Sequence, residues 1–159
     1  MTIATIMSKT IITATADSSI LEVARLMYSK HVGQIIIIAD ATPIGIVTDR
    51  DLVLNFAKSG VLDPASKVVS IMSHNVITVR AHDDIYETLQ KMKDNGVRNL
   101  PVVSNEGHLI GMATLDDCLK ILGDEINFLG GICDSEVEKE KMIEAKYLHH
   151  SHEGFKYLS

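Results

Sequence analysis

The chain has no tryptophan, three phenylalanines and three prolines in 159 residues. A core must therefore come from aliphatic side chains, and the abundance of Ile, Val and Leu favours one with a sheet component. There are two cysteines, Cys118 and Cys133, too few for a disulfide framework and at no metal-ligand spacing. That usage suits a reducing, cytoplasmic setting, with Cys118 a small buried residue on an expected helix. A basic excess is also missing. Fifteen Lys and Arg stand against twenty-one Asp and Glu, a net charge of −6. This disfavours a general nucleic-acid binder, which needs a basic face, although a local basic pocket stays open. The longest apolar run, Ile35 to Ala39, falls far short of the ~20 residues that span a bilayer and suits a buried strand. No charged and then apolar leader opens the chain, so neither secretion nor a membrane is expected.

What is present is stated twice. Residues 7–57 begin Met7-Ser8-Lys9-Thr10-Ile11-Ile12-Thr13, and residues 72–122 begin Met72-Ser73-His74-Asn75-Val76-Ile77-Thr78. Ile20 matches Ile85, and after one inserted residue Gly45 matches Gly111 and Asp51 matches Asp117. A unit of roughly 60 residues buries little core by itself, so the copies are expected to pack together and any pocket at their seam to occur twice.

Each copy reads β-α-β-β-α. The first strand is expected at Ile11–Ala14 and Val76–Val79. Ser19 with Glu22, and Asp84 with Glu87, mark helix starts. Ile20, Val23, Ala24 and Met27, and then Ile85, Leu89 and Met92, keep helical spacing. Strands at Ile35–Ile38 and Pro43–Val47, and at Leu100–Val103 and Leu109–Ala113, are separated by three to five turn residues and read as hairpins. A second helix begins at Thr48 or Thr114 and is expected to stop near Gly60 or Gly123. Gly130-Gly131 should then break the chain before a charged, solvated helix over 134–147. Met7, Met27, Met72 and Met92 recur at matched positions and read as core.

Gly-x-x-Thr-x-x-Asp occurs at Gly45/Thr48/Asp51 and again at Gly111/Thr114/Asp117. Thr as N-cap with Asp three residues on is a capping pair. The same geometry suits a ligand. Free N–H groups and partial positive charge at a helix start attract phosphate, the Thr hydroxyl can bond phosphate or ribose, and the Asp carboxylate can accept ribose hydroxyls. Gly45 and Gly111 would admit a ligand or a neighbouring strand closely. The acidic pairs Asp49/Asp51 and Asp116/Asp117 fit the helix dipole better than acid–base work. With no nucleophile set, P-loop or Gly-x-Gly-x-x-Gly, catalysis is not expected.

Residues 1–125 resemble a tandem pair of cystathionine-β-synthase (CBS) domains, a Bateman module. The resemblance rests on Ile6-Met7-Ser8 and Ile71-Met72-Ser73, Ile77-Thr78-Val79, Arg98-Asn99-Leu100-Pro101-Val102-Val103, and Gly45-Ile46-Val47-Thr48-Asp49-Arg50-Asp51-Leu52. It implies an α+β fold of two pseudo-twofold-related repeats, 1–62 and 63–125, packed sheet to sheet, with 126–159 a charged helical or flexible tail. It further implies two clefts for adenosine-containing ligands: AMP, ADP or ATP, or S-adenosylmethionine or an NAD-type nucleotide. Thr48 and Asp51 would hold phosphate and ribose in one cleft, and Thr114 and Asp117, with Asp116 beside them, in the other. Ile12, Thr13, Ile77 and Thr78 would border adenine, and Ile35 and Leu100 would supply apolar walls. Arg50 and Arg98, then Lys9 and His74, are the basic groups for phosphate. If the two arginines point into different clefts, the sites are unequal.

The resulting expectation is a stand-alone regulatory module that binds adenine nucleotide, has no obligatory cofactor, forms a homodimer and signals to a regulated protein. The alternatives are a nucleotide-independent adaptor and a metal sensor using His149, His150 and His152, for which a flexible polar tail is the plainer reading.

Overall fold

The computed structural model describes residues 1–61 and 63–153, with side chains described up to residue 146. Residues 1–118 form one compact unit and the chain from Leu119 a second.

Along the chain the same order of elements runs twice. The first copy comprises β1 (Thr13–Thr15), α1 (Ile20–Lys30), β2 (Gln34–Ala39), β3 (Thr42–Thr48) and α2 (Asp49–Ser59). The second comprises β4 (Val79–Arg80), α3 (Ile85–Asn95), β5 (Asn99–Val103), β6 (Leu109–Thr114) and α4 (Leu115–Glu153). Each sheet has three strands, with β1 parallel to β2 and β2 antiparallel to β3, and the second sheet repeats this with β4, β5 and β6. Gln34 pairs with Thr48 as Asn99 pairs with Thr114, so the repeats share one register.

Both central strands are buried on two faces. Ile35 and Ile37 join Val23, Met27 and Val47 in one core, and Leu100 and Val102 join Val79, Met92 and Ala113 in the other. Ile36 and Pro101, on the opposite faces, are buried as well. Side chains alternate along a strand, so one face of each sheet covers α1 or α3 and the other turns toward the other repeat.

The opening segments cross over. Ile3, fully buried, belongs to the second repeat's core, whereas Val68 and Met72 belong to the first repeat's core. Backbone bonds fix the exchange. Ser8 and Met112 bond each other at 2.9 Å in both directions, and Ile46 and Ser73 do so at 3.0 and 2.8 Å. Met7 and Met72 are therefore packed residues as expected, but each packs on the opposite repeat. Gly45 and Gly111 admit these methionines rather than a ligand: an added Cβ would clash with Met72 Sδ at Gly45 and would lie 2.7 Å from Met7 Sδ at Gly111.

Helix α1 ends on His31 in the left-handed region (φ 55°), where the second repeat has Gly96 (φ 63°). Three sequence expectations shift. The first strands start later, at Thr13 and Val79, leaving Ile11, Ile12, Val76 and Ile77 as extended chain ahead of them. The first hairpin turns on two residues, Asp40 and Ala41, both at positive φ, the pattern of a type I′ turn. Finally, α4 runs through Gly123, Gly130 and Gly131 without stopping. Each glycine costs about 1 kcal/mol against alanine, and the surrounding Leu, Ile, Glu and Lys outweigh that cost. Among the described residues no helix is long and apolar enough to cross a membrane. His149, His150 and His152 lie on α4, but their side chains are outside the described ones.

Candidate functional site between the repeats

A cavity of about 430 Å³ opens where the two sheets meet. The first repeat contributes the extended chain Thr10–Ile12, the loop His31–Gly33, and Gln34 and Ile36 of β2. The second contributes Asn99, Met112, Thr114 and Asp116. Its size falls within the roughly 300–1,000 Å³ usual for small-molecule sites. Apolar walls and a few polar groups suit a flat heterocycle with a polar substituent.

Gln34 and Asn99 open the central strands of their respective repeats and meet across the seam. Asn99 Nδ2 donates to Gln34 Oε1 at 3.4 Å. Gln34 Nε2 is buried and finds no protein acceptor. An orphaned buried donor costs about 1–3 kcal/mol, and a ligand acceptor in this cavity would remove that cost.

The helix starts are built by their caps. Thr48 Oγ1 accepts from Asp51 N–H at 3.2 Å and donates to Asp51 Oδ2 at 2.8 Å, and Thr48 N–H donates to the same oxygen at 2.8 Å. Thr114 Oγ1 accepts from Asp117 N–H at 3.0 Å and donates to Asp117 Oδ2 at 2.6 Å. The capping reading thus holds in both copies. Thr114 faces the cavity with Asp116, and Asp117 is held behind it by the cap.

The other expected site residues divide. Ile12 lines the cavity, whereas Thr13 lines an outer groove beside α1 with Glu22 and Arg25. Thr78 lines the corresponding outer groove of the second repeat with Arg80 and Lys91, and Ile77 packs on that repeat's core. Ile35 and Leu100 are 0% and 1% exposed inside the cores and form no cleft wall. Strand alternation gives the wall to Ile36 instead. Arg98 Nη2 lies 3.4 Å from Asp116 Oδ1, with both side chains exposed. Arg50 is exposed on the first turn of α2. Gln34, Asn99, Thr10 and Met112 carry the cavity without having been singled out by sequence. The available signal was a polar amide opening an apolar strand at the same position in both copies.

Burial, and then the neighbouring Asp117 carboxylate, push the Cys118 thiol above its ordinary value. Among the described residues no group of three or more His, Cys, Asp or Glu could hold a metal ion.

The model of the CBS domain family matches residues 3–58 and 68–124, and the chain belongs to that family. It is 35% identical over 112 residues to an uncharacterized protein of Methanopyrus kandleri, covering 70% of this chain and 57% of that one. The chain thus spans little more than half of that relative's length. Among solved structures it is similar to the CBS domain pair of protein MJ0100 in complex with 5′-methylthioadenosine and S-adenosyl-L-methionine. The TM-score there is 0.67 at 25% identity, covering 77% of this chain and 99% of that one. It is also similar to the cytosolic domain of the Mg²⁺ channel MgtE in complex with ATP. Here the TM-score is 0.64 at 27% identity, covering 73% and 46%.

Proposed function

We propose that the chain is a regulatory module that binds an adenosine-containing ligand in the cavity between its repeats and passes occupancy to a partner protein. The observation that carries this reading is the buried Gln34 Nε2, an unpaired donor at the mouth of β2 in a cavity of adenosine size. A purine ring nitrogen is the acceptor such a donor needs. Ile12, Ile36 and Met112 offer apolar contact to the ring faces, and the Thr114 hydroxyl and Asp116 carboxylate offer partners to ribose hydroxyls. The adenosyl and ATP complexes of the two solved relatives support the ligand class.

Binding couples the repeats because the cavity takes groups from both. A ligand shifts a conformational equilibrium only by its differential affinity, so closure of the two sheets on it is the step that a partner would read. Helix α2 exposes Val53, Leu54 and Phe56. These favour a protein contact there, and a second copy of this chain is its proposed occupant.

Titration calorimetry with adenosine, AMP, ATP, S-adenosylmethionine and NADH tests the reading. At least one should bind saturably, and Gln34→Leu should weaken it by about 0.5–1.5 kcal/mol, the net worth of one neutral hydrogen bond. Silence for all five returns the chain to an adaptor that works through protein contacts alone.

A further inference from the structure

The strand register that relates the repeats carries the surroundings of the described cavity onto an equivalent place in the fold. Gln34 and Asn99 hold equivalent places, as do Thr48 and Thr114. The backbone bonds Asp49 N–H to Gly33 O and Leu115 N–H to Arg98 O make Gly33 equivalent to Arg98. One residue further along each helix, Arg50 is equivalent to Asp116. The described cavity contains Gly33 and Asp116. The related cleft, at Ile77, Asn99 and Thr48, is therefore assigned Arg98 and Arg50 at the same two positions. Both arginines thus fall to the same cleft, and the two sites are unequal for that reason.

The consequence is electrostatic. The described cavity is lined by one carboxylate, Asp116, and one imidazole, His31, with no lysine or arginine. A phosphate there would face the Asp116 carboxylate, whose one cationic partner, Arg98, is exposed and is not among the residues that line this cavity. The related cleft offers two guanidinium groups at a helix start, the arrangement that suits phosphate.

We propose that the two clefts divide adenosine ligands by charge: the Asp116 cleft takes a neutral or cationic adenosine derivative, and the Arg50/Arg98 cleft takes one that carries phosphate. This deepens the adenosine-binding reading and rests on it. The ion pair between Arg98 and Asp116 joins the two sites. Both partners are exposed, so the pair is weak, and a phosphate readily draws Arg98 away. Asp116 is then left unneutralised in its own cleft, where it attracts a cation more strongly. Phosphate ligand in one cleft thereby favours a cationic ligand in the other, and linkage makes the effect reciprocal.

Calorimetry with AMP and S-adenosylmethionine on the full chain tests the division. Both should bind together, one per cleft, with AMP tightening S-adenosylmethionine by about fivefold, within the usual range of such couplings. Arg50→Gln and Arg98→Gln should each weaken AMP by about ten- to a hundredfold, the loss of a charge-assisted bond. Arg98→Gln should also remove the coupling. Arg25→Gln, on the outer groove, should leave AMP binding unchanged. Mutual displacement of the two ligands, or AMP binding indifferent to both cleft arginines, overturns the division while leaving adenosine binding intact. Failure of every adenosine compound to bind removes the division and the underlying reading together.

Discussion

Gln34 and Asn99 stand at the same register position of their repeats and hydrogen-bond to each other across the seam at 3.4 Å. The bond uses the Gln34 oxygen and leaves its nitrogen without an acceptor. Asn99→Ala should therefore leave both polar atoms of the Gln34 amide unpartnered and lower stability by about 1–3 kcal/mol. Urea unfolding measures this, and a ligand that engages the amide should recover part of the loss.

The crossed opening segments make each repeat's stability depend on chain that lies before the other. Ile3→Ala removes a fully buried side chain from the second core and should cost about 2–5 kcal/mol. Hydrogen exchange should show the loss first at β5 and β6. Val68→Ala should loosen β2 and β3 instead. Exchange that rises only in the mutated residue's own sequence repeat contradicts the crossover.

Gly45 and Gly111 lie under Met72 and Met7. Gly111→Val must displace the Met7 side chain and press on the Ser8 carbonyl, 3.1 Å from the added Cβ. A destabilisation of about 1–3 kcal/mol is expected from overpacking, measured as a fall in thermal midpoint. Gly111→Val combined with Met7→Ala should recover part of it.

The two cysteines should differ sharply in reactivity. Cys118 is buried and its thiol is held above its ordinary value by burial and by Asp117, whereas Cys133 is exposed. A thiol-specific reagent at neutral pH should modify one cysteine per folded chain and two in denaturant, because the thiolate is the reacting form. The native state holds the Cys118 proton more tightly than the unfolded chain. Its contribution is complete below the ordinary thiol value and is lost as pH climbs through the raised one. Stability should therefore decline toward alkaline pH, and less so in Cys118→Ala.

Gly130→Ala and Gly131→Ala should each stabilise the exposed stretch of α4 by about 1 kcal/mol, because a Cβ at either position meets no atom within 4 Å. Circular dichroism at 222 nm during heating reads the gain. A loss of helix on either substitution contradicts a continuous α4.

Much of the fold was legible in the chain. Repetition, the Ser19/Glu22 box and the Thr48/Asp51 pair announce the elements and their ends, because periodicity and capping are local. Other features depended on tertiary context. Nothing local in Ile3 or Met72 says that it packs on the other copy. Gly130-Gly131 reads as a break until the helix formers on either side are weighed against it. In the candidate site, Ile12, Thr114 and Asp116 were visible and meet in one cavity. The resemblance implies a cleft wall for Ile35 and Leu100, whereas alternation turns them into the cores. Gln34 and Asn99 gain a role only when they face each other, because a single amide at a strand start is ordinary.

The central claim is that an adenosine moiety accepts a hydrogen bond from the Gln34 amide between the repeats. Its most direct test is the Gln34 side-chain amide signal in a nitrogen–proton correlation spectrum, assigned by its disappearance in Gln34→Leu, during titration with adenosine. A saturable shift of that signal, with the Ile12 and Thr114 backbone signals moving in step, is the predicted result. An unmoved Gln34 signal, while calorimetry on the same sample registers bound adenosine, would contradict it.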